Sequence, residues 1–215
     1  MAGTTSVITI GRQYGSGGRE VGRKLAEKLE IPFYDRELLS EAAKESGICE
    51  EIFEDHDEKP TRSLLYSLVT GVQYHGGSAA NMYMDMPLNH RIFLAQFDAI
   101  RRIAGEGPCV IVGRCADYVL RDQANAINVF LRADLEKRIE RAVERGVDRM
   151  KAEDRVRRAD KERASYYNYY ATGTWGDVNN YDLCLDTGKL GIDGTVELLA
   201  DYIRLRDRQL RNGEA

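Results

Sequence analysis

Short apolar segments alternate with longer amphipathic segments along the chain. After the first apolar segment, Val21, Leu25 and Leu29 recur on one face of a predicted helix, with charged residues between them. Further helices are predicted over Leu88–Gly105 and Gly191–Arg211. The apolar segments themselves predict five strands, at Val7–Ile10, Ile31–Tyr34, Cys109–Val112, Ile127–Leu131 and Leu183–Asp186.

Strands that alternate with helices form parallel sheets whose two faces are covered by those helices. The pattern therefore predicts an α/β fold, a three-layer αβα sandwich around a five-stranded parallel sheet. Residues 1–215 are expected to form a single domain, in which two less regular or highly charged stretches, about 49–108 and 148–181, are inserted. The core then comprises residues 1–48, 109–147 and 182–215, to within a few positions.

The composition is that of an ordinary globular protein, with 43% hydrophobic and 31% charged residues among 215. A net charge of −4 argues against general binding to nucleic acid, and no apolar run approaches the length that spans a bilayer. Four cysteines without a CxxC pair, together with the absence of a signal-peptide pattern, predict a reducing, cytoplasmic location. The three histidines lack the spacing of a zinc site. We therefore expect small-molecule partners, not nucleic acid or a membrane.

The most informative segment is the glycine-rich turn Gly11–Glu20, between the first predicted strand and the first predicted helix. Glycine allows positive φ angles and close approach of the backbone to a ligand. A turn of this kind directs several backbone N–H groups into one concavity at the positive end of a helix, which suits phosphate. The alternative is a glycine-rich turn that holds no ligand. The predicted phosphate-binding residues are Gly11, Arg12, Gly15, Ser16, Gly17, Gly18, Arg19 and Glu20.

The turn departs from the Walker A pattern, in which a glycine is followed, after four residues, by Gly-Lys-Ser/Thr. Between Gly11 and Gly17 there are five residues, and Gly18 or Arg19 stands where the lysine belongs. Arg19 or Glu20 likewise stands in the place of the hydroxyl that binds Mg²⁺. We predict that Arg19 supplies the missing cation to the β- and γ-phosphates, with a reach and shape different from those of lysine.

Four segments together resemble a known family, the cytidylate kinase-like branch of the nucleoside monophosphate kinases. Their order and spacing cover nearly the whole chain, although the stretch 49–108 matches poorly. The resemblance implies a P-loop fold in which 49–108 is a helical NMP-binding-like insertion and 148–181 is a lid. It also implies transfer of the γ-phosphoryl group of ATP to a nucleoside monophosphate, CMP or dCMP, with Mg²⁺. The segments that carry the resemblance are Val7–Glu20, Ile31–Arg36, Val110–Arg114 and Arg155–Arg163.

Phosphoryl transfer needs arginines that neutralise the transferred group, best placed on a segment that closes over it. The resemblance assigns this role to Arg157, Arg158 and Arg163 in the lid, and it implies that Asp160 orients an arginine or contacts the acceptor. With Arg19, these residues form the predicted catalytic set. The alternative is a solvated helix whose charges pair with one another, because acidic residues are interleaved with the basic ones.

Asp35, Arg36 and Arg114 directly follow the second and third predicted strands, at the carboxyl ends where ligands bind in a doubly wound sheet. The resemblance implies that Arg114 binds the acceptor nucleotide, and we predict the same role for Asp35 and Arg36. In true cytidylate kinases an acidic residue near the end of the third strand helps to hold Mg²⁺, whereas here the strand runs into Gly113. The sequence therefore assigns no metal ligand. Two alternatives stay open: a kinase for a different small metabolite, and a nucleotide-binding regulatory protein without turnover.

Overall fold

A computed structural model of the chain describes residues 3–45 and 88–213. Within these residues, five strands form one sheet in the order β2-β3-β1-β4-β5, and every pair of neighbouring strands is parallel. The α/β fold class predicted from the sequence is confirmed. The strands are β1 (Val7–Arg12), β2 (Phe33–Tyr34), β3 (Val110–Val112), β4 (Ala126–Arg132) and β5 (Leu183–Asp186).

The predicted helix over Leu88–Gly105 is confirmed and extends to Glu106, and the closing helix predicted over Gly191–Arg211 is preceded by a short helical turn that starts at Thr187. Its start is set by Asp186, whose carboxylate accepts a hydrogen bond of 2.9 Å from the N–H of Gly188. Gly191 is a kink inside this helix, with φ 69° and ψ 176°. The helices are α1 (Gly18–Leu29), α2 (Arg36–Glu45), α3 (Leu88–Glu106), α4 (Ala116–Val119), α5 (Leu135–Glu144), α6 (Arg149–Tyr170) and α7 (Thr187–Asn212), with a 3₁₀ turn at Val178–Asn180.

The core lies between the central strands and the helices α1 and α7. Alternate residues of β1, β3 and β4 point to the same face of the sheet and are fully buried there. Apolar residues of α1 and α7 pack against them. Because helices cover the central strands, their sequences read as nearly continuous apolar runs, which is why the sequence pattern reveals them.

By its internal contacts the chain divides into two compact units, one of Met1–Glu37 with Ile100–Ala215 and the other of Leu38–Ala99. The first unit holds all five strands described above. In the second, the side-chain amide of Gln96 donates to the hydroxyl of Ser40 over 3.3 Å. The predicted insertion over 49–108 stays a prediction, because residues 46–87 lie outside the described part of the chain.

Candidate active site

The glycine loop connects β1 to α1, and its backbone conformation and close packing require glycine at two positions. Gly15 has φ 77°, and Gly17, the N-cap of α1, has φ 80°. A Cβ at position 15 would lie 2.6 Å from the carbonyl oxygen of Arg138, and a Cβ at position 17 would overlap Ile192. The loop is therefore packed closely against α5 and α7. The N–H groups in the first turn of α1 have no partner within the helix, as is general for helix starts.

Carbonyl groups of this loop accept hydrogen bonds from the buried side chain of Thr187 and the half-buried side chain of Arg141. The hydroxyl of Thr187, at the start of α7, donates to the carbonyl of Ser16 over 2.6 Å. Arg141 on α5 donates to the same hydroxyl over 3.0 Å and to the carbonyl of Gly15 over 3.3 Å. Ser16 is itself fully buried, and its hydroxyl donates to the carbonyl of Gln13 over 2.8 Å. These contacts hold the shape of the loop within the described structure.

The side chain of Arg12 crosses the first residue of α1. A Cβ at position 18 would lie 2.7 Å from Cβ and 2.8 Å from Cγ of Arg12. Beyond it, the guanidinium comes against Gly113 at the end of β3, where a Cβ would lie 2.8 Å from Cζ of Arg12. Arg12 thus spans the space between the glycine loop and the end of the third strand.

Arg19 extends in a different direction, toward the residues that follow β2. Its Nε donates to Asp35 over 2.7 Å and its Nη2 to Glu37 over 2.7 Å. The hydrogen bond to Asp35 is the largest cause of the raised pKa of Arg19, and the negative charges of both carboxylates add to it. Asp35 is buried, whereas 63% of the Arg19 side chain is exposed. The structure thus joins Arg19 to the predicted acceptor residue Asp35, with Arg36 next to it at the start of α2.

The helix α6 contains the predicted lid residues and contacts the glycine loop directly. The carboxylate of Asp160 accepts a hydrogen bond of 2.6 Å from the N–H of Tyr14 and pairs with Arg138 on α5. Arg163 donates to the carbonyl of Arg12 over 3.1 Å. The guanidinium groups of Arg155 and Arg163 also lie 5.5 and 5.6 Å from the centre of the Tyr14 ring, within the range of cation–π attraction.

The other predicted lid arginines are placed differently. Arg157 pairs with Glu153 one helical turn away, over 2.8 Å, and 62% of its side chain is exposed. Arg158 is exposed on the same helix. The structure therefore brings Asp160 and Arg163 to the loop and leaves Arg157 in the kind of surface ion pair that a solvated helix carries. The catalytic roles of all four stay predictions.

The turn after β3 has an unusual backbone and holds the predicted acceptor residue Arg114. Gly113, Arg114 and Cys115 have φ angles of 82°, 56° and 55°, three left-handed residues in succession. Two of them are not glycine, so the turn is strained and must be held by its surroundings. The guanidinium of Arg114 lies 5.3 Å from the centre of the Tyr166 ring on α6.

Behind this turn, α6 is attached to α4 by a buried hydrogen bond. The hydroxyl of Tyr167 donates to the carboxylate of Asp117 over 2.7 Å. Burial raises the pKa of Asp117, and the hydrogen bond from Tyr167 partly opposes this rise. Asp117 is therefore engaged in positioning α6.

Three residues that hold the site, Arg138, Arg141 and Thr187, are absent from the sequence-based set. The spacing of Arg138 and Arg141 could have indicated them from the sequence. They are three residues apart on the helix that follows β4, so they share one helix face near the carboxyl end of the sheet. Among residues 3–45 and 88–213, no group of three or more His, Cys, Asp or Glu side chains is placed to hold a metal ion. No helix in those same ranges is long and apolar enough to cross a membrane.

A glycine loop between the first strand and first helix of a five-stranded parallel sheet, covered by a charged helix, defines a P-loop phosphotransferase of the α/β class. Residues 7–189 match the model of the cytidylate kinase-like family, and the chain belongs to that family. It is accordingly a nucleotide kinase-like phosphotransferase, as the sequence predicted.

Individual relatives agree with this assignment. A cytidylate kinase of Methanopyrus kandleri is 27% identical over an alignment of 203 residues that covers 90% of each chain. The crystal structure of an uncharacterized protein from Eubacterium ventriosum superposes with a TM-score of 0.69 and 32% identity, covering 93% of this chain and 98% of that one. A shikimate kinase of Bacteroides thetaiotaomicron, at 13% identity and a TM-score of 0.51 over 93% and 98% of the two chains, shares the fold.

Proposed function

We propose that this protein transfers the γ-phosphoryl group of ATP to a nucleoside monophosphate, and that CMP or dCMP is the acceptor. The observation that carries the proposal is the direct contact between the glycine loop and α6, through Asp160 with Tyr14 and Arg163 with Arg12. A phosphoryl-transfer site needs a phosphate-binding loop and a cationic segment that covers it. The names of the curated relatives support cytidine nucleotides as acceptors.

The residues of the glycine loop and its surroundings fit the phosphates of a nucleoside triphosphate. Close packing at Gly15 and Gly17 leaves room for backbone only, and the first turn of α1 offers N–H groups and a positive dipole to phosphate. Arg12 and Arg163 add positive charge above this turn. In the proposal, these groups bind and orient the β- and γ-phosphates and neutralise charge as the γ-phosphoryl group moves.

The acceptor nucleotide would be bound at the ends of β2 and β3, where Asp35, Arg36 and Arg114 lie. Arg114, whose guanidinium lies against the Tyr166 ring on the covering helix, would bind the acceptor phosphate. When Gly17 is taken as the second Walker glycine, Arg19 occupies the position of the usual hydroxyl, and Gly113 occupies that of the strand-end carboxylate. Neither residue is a Mg²⁺ ligand. We therefore assign no protein ligand to Mg²⁺, which would neutralise phosphate charge as part of the ATP complex.

We also propose that the protein is located in the cytoplasm, where ATP and nucleoside monophosphates occur.

A panel of acceptors tests the proposal. Release of ADP from ATP and Mg²⁺ is measured with CMP, dCMP, UMP, AMP and GMP, and with small hydroxyl-bearing metabolites. We expect CMP or dCMP to give the highest kcat/KM. Stimulation only by a metabolite that is not a nucleotide would favour a different kinase, and tight ATP binding with no turnover would favour a regulatory protein.

A variant of the covering helix tests whether the turnover belongs to this site. Arg163→Ala is expected to lower kcat for the best acceptor by about tenfold or more, because it removes a cation next to the loop. Lys151→Ala, at an exposed position of α6, is the matched control and should retain the wild-type rate. Equal rates for both variants and the wild type would place the reaction elsewhere.

A further inference from the structure

We propose that Arg12 takes the part of the Walker lysine, reaching the phosphates from the end of β1 instead of from the start of α1. In the Walker A pattern four residues separate the first glycine from the Gly-Lys pair. Counted back from Gly17, that glycine position is residue 12, and the lysine position is residue 18. The chain carries arginine at the first and glycine at the second, so the small residue and the cation have exchanged places. The inference rests on the proposed function, since it assigns a role in binding ATP.

The contact between the Arg12 side chain and Gly18 explains why arginine at position 12 goes together with glycine at position 18. The side chain of Arg12 runs over Gly18, with its Cβ, Cγ and Cδ at 2.7, 2.8 and 3.7 Å from the place of a Cβ at position 18. Any side chain at residue 18 would meet the stem of Arg12. Glycine at position 18 therefore leaves the space that the side chain of Arg12 occupies.

A second glycine accommodates the charged end of the same side chain. A Cβ at position 113 would lie 2.8 Å from Cζ and 3.1 Å from Nη2 of Arg12. Gly113 follows β3, whose last residue, Val112, is paired with Ile10 of β1. The guanidinium thus lies at the carboxyl end of adjacent parallel strands, where ligands bind in sheets of this type. Its charge also acts on the buried thiol of Cys115, opposing the rise that burial causes in the pKa of that group.

Arg19 is held in a way that suits a different role. Two carboxylates, Asp35 and Glu37, bind its guanidinium at 2.7 Å each and offset its charge. Arg19 therefore orients Asp35 at the end of β2. The backbone carbonyl of Arg12 accepts a hydrogen bond from Arg163 of the covering helix, which places these two arginines at one side of the loop.

The chemistry of arginine fits this position. A guanidinium keeps its charge at all physiological pH values and presents donors in a planar fork that can bind two phosphate oxygens together. An ammonium group at the end of a lysine at residue 12 keeps the charge but loses the fork. The proposal therefore predicts that ATP affinity decreases from the wild type, with arginine at position 12, to Arg12→Lys and then to Arg12→Ala.

Equilibrium binding of ATP to the full chain, by calorimetry, tests the exchange. Arg12→Ala should weaken ATP binding by about tenfold or more, a loss near 1.4 kcal/mol, and by more than Arg19→Ala does. Arg12→Lys should fall between wild type and Arg12→Ala. Arg204→Ala, an exposed arginine on α7 paired with Asp201, is the matched control and should bind as the wild type does. Thermal unfolding and circular dichroism of each variant show that it is folded.

The decisive variant exchanges the two residues back. Gly18→Lys alone should weaken ATP binding, because the new side chain meets the stem of Arg12. The double variant Arg12→Gly with Gly18→Lys restores the Gly-x₄-Gly-Lys spacing and should recover most of the lost affinity. Failure of the double variant to bind ATP better than Gly18→Lys, or a larger loss in Arg19→Ala than in Arg12→Ala, would overturn the inference. These outcomes are distinct from failure of the proposed function, in which the wild type itself binds no ATP or turns over no acceptor.

Discussion

The glycine loop and the helix α6 that covers it are held by different kinds of interaction. The loop is bonded to the core by close packing at Gly15 and by the buried hydroxyl of Thr187. The helix touches the loop through charged and aromatic groups, chiefly Asp160, Arg163 and Tyr14. The difference indicates that the shape of the loop is built into the fold, whereas the contact between the helix and the loop depends on a few polar and aromatic groups.

The largest effect is expected where the loop meets the core. Gly15→Ala introduces a Cβ at 2.6 Å from a backbone oxygen, at a residue with φ 77°. We expect a loss of more than about 1 kcal/mol in the free energy of unfolding, together with loss of ATP binding. Chemical denaturation and calorimetry measure the two effects. Gly105→Ala, with no atom within 4 Å of its Cβ, is the control and should be neutral or slightly stabilising.

The next effect concerns the contact between the helix and the loop. Asp160→Asn keeps the size of the side chain but removes the charge that pairs with Arg138, which is largely buried. We expect a loss of about 1–3 kcal/mol in stability and a fall in kcat larger than the change in ATP affinity. Asp154→Asn, exposed on the same helix, is the control. Unchanged turnover in Asp160→Asn would mean that the contact with Tyr14 is not used in the reaction.

A smaller, pH-dependent effect is expected at the far end of the helix. Burial raises the pKa of Asp117 above its ordinary value. A raised pKa in the folded state contributes stability that is present below the unfolded pKa and is lost as the pH rises through the folded pKa. Asp117→Asn should therefore be at least as stable as the wild type at pH 7, and any gain in stability should shrink as the pH falls toward the ordinary pKa range of aspartate, about 4.

Denaturation at a series of pH values checks the prediction for Asp117. The carbonyl oxygen of asparagine can still accept the hydrogen bond from Tyr167, so the attachment of α6 is kept. Asp122→Asn, a highly exposed carboxylate, serves as the control. A stability difference that grows as the pH falls would contradict the predicted sign.

The smallest effect on stability is expected on the outer face of α6. The pair of Arg157 with Glu153 is exposed, and such pairs contribute little. Arg157→Ala should change the free energy of unfolding by no more than about 0.5 kcal/mol. Its turnover distinguishes the two interpretations of the lid sequence: a loss of tenfold or more requires that Arg157 moves to clamp the phosphates, and a retained rate requires that it stays a surface residue.

Much of the fold could be predicted because its signals are local. Each strand is a short apolar run that ends at glycine or at a charged residue. The continuous apolar run Val110–Val112 indicates a strand that is buried on both faces of the sheet. The short helical turn before Gly191 was missed for an equally local reason. Asp186 is both the last residue of β5 and the N-cap of α7, so this turn starts immediately after the strand, and Gly191, with non-helical φ and ψ, separates it from the longer helix that the sequence predicted.

The amino-acid sequence by itself determined the parallel sheet, the glycine loop and the presence of a charged covering helix, because hydrophobic period and glycine spacing act over a few residues. It also contained the exchange of arginine and glycine at positions 12 and 18. Only the tertiary structure decided where each arginine side chain lies and what it contacts. Arg19 pairs with Asp35, which follows β2, and Arg12 lies across Gly18 toward Gly113. The direction of a long side chain depends on partners and space that distant segments supply.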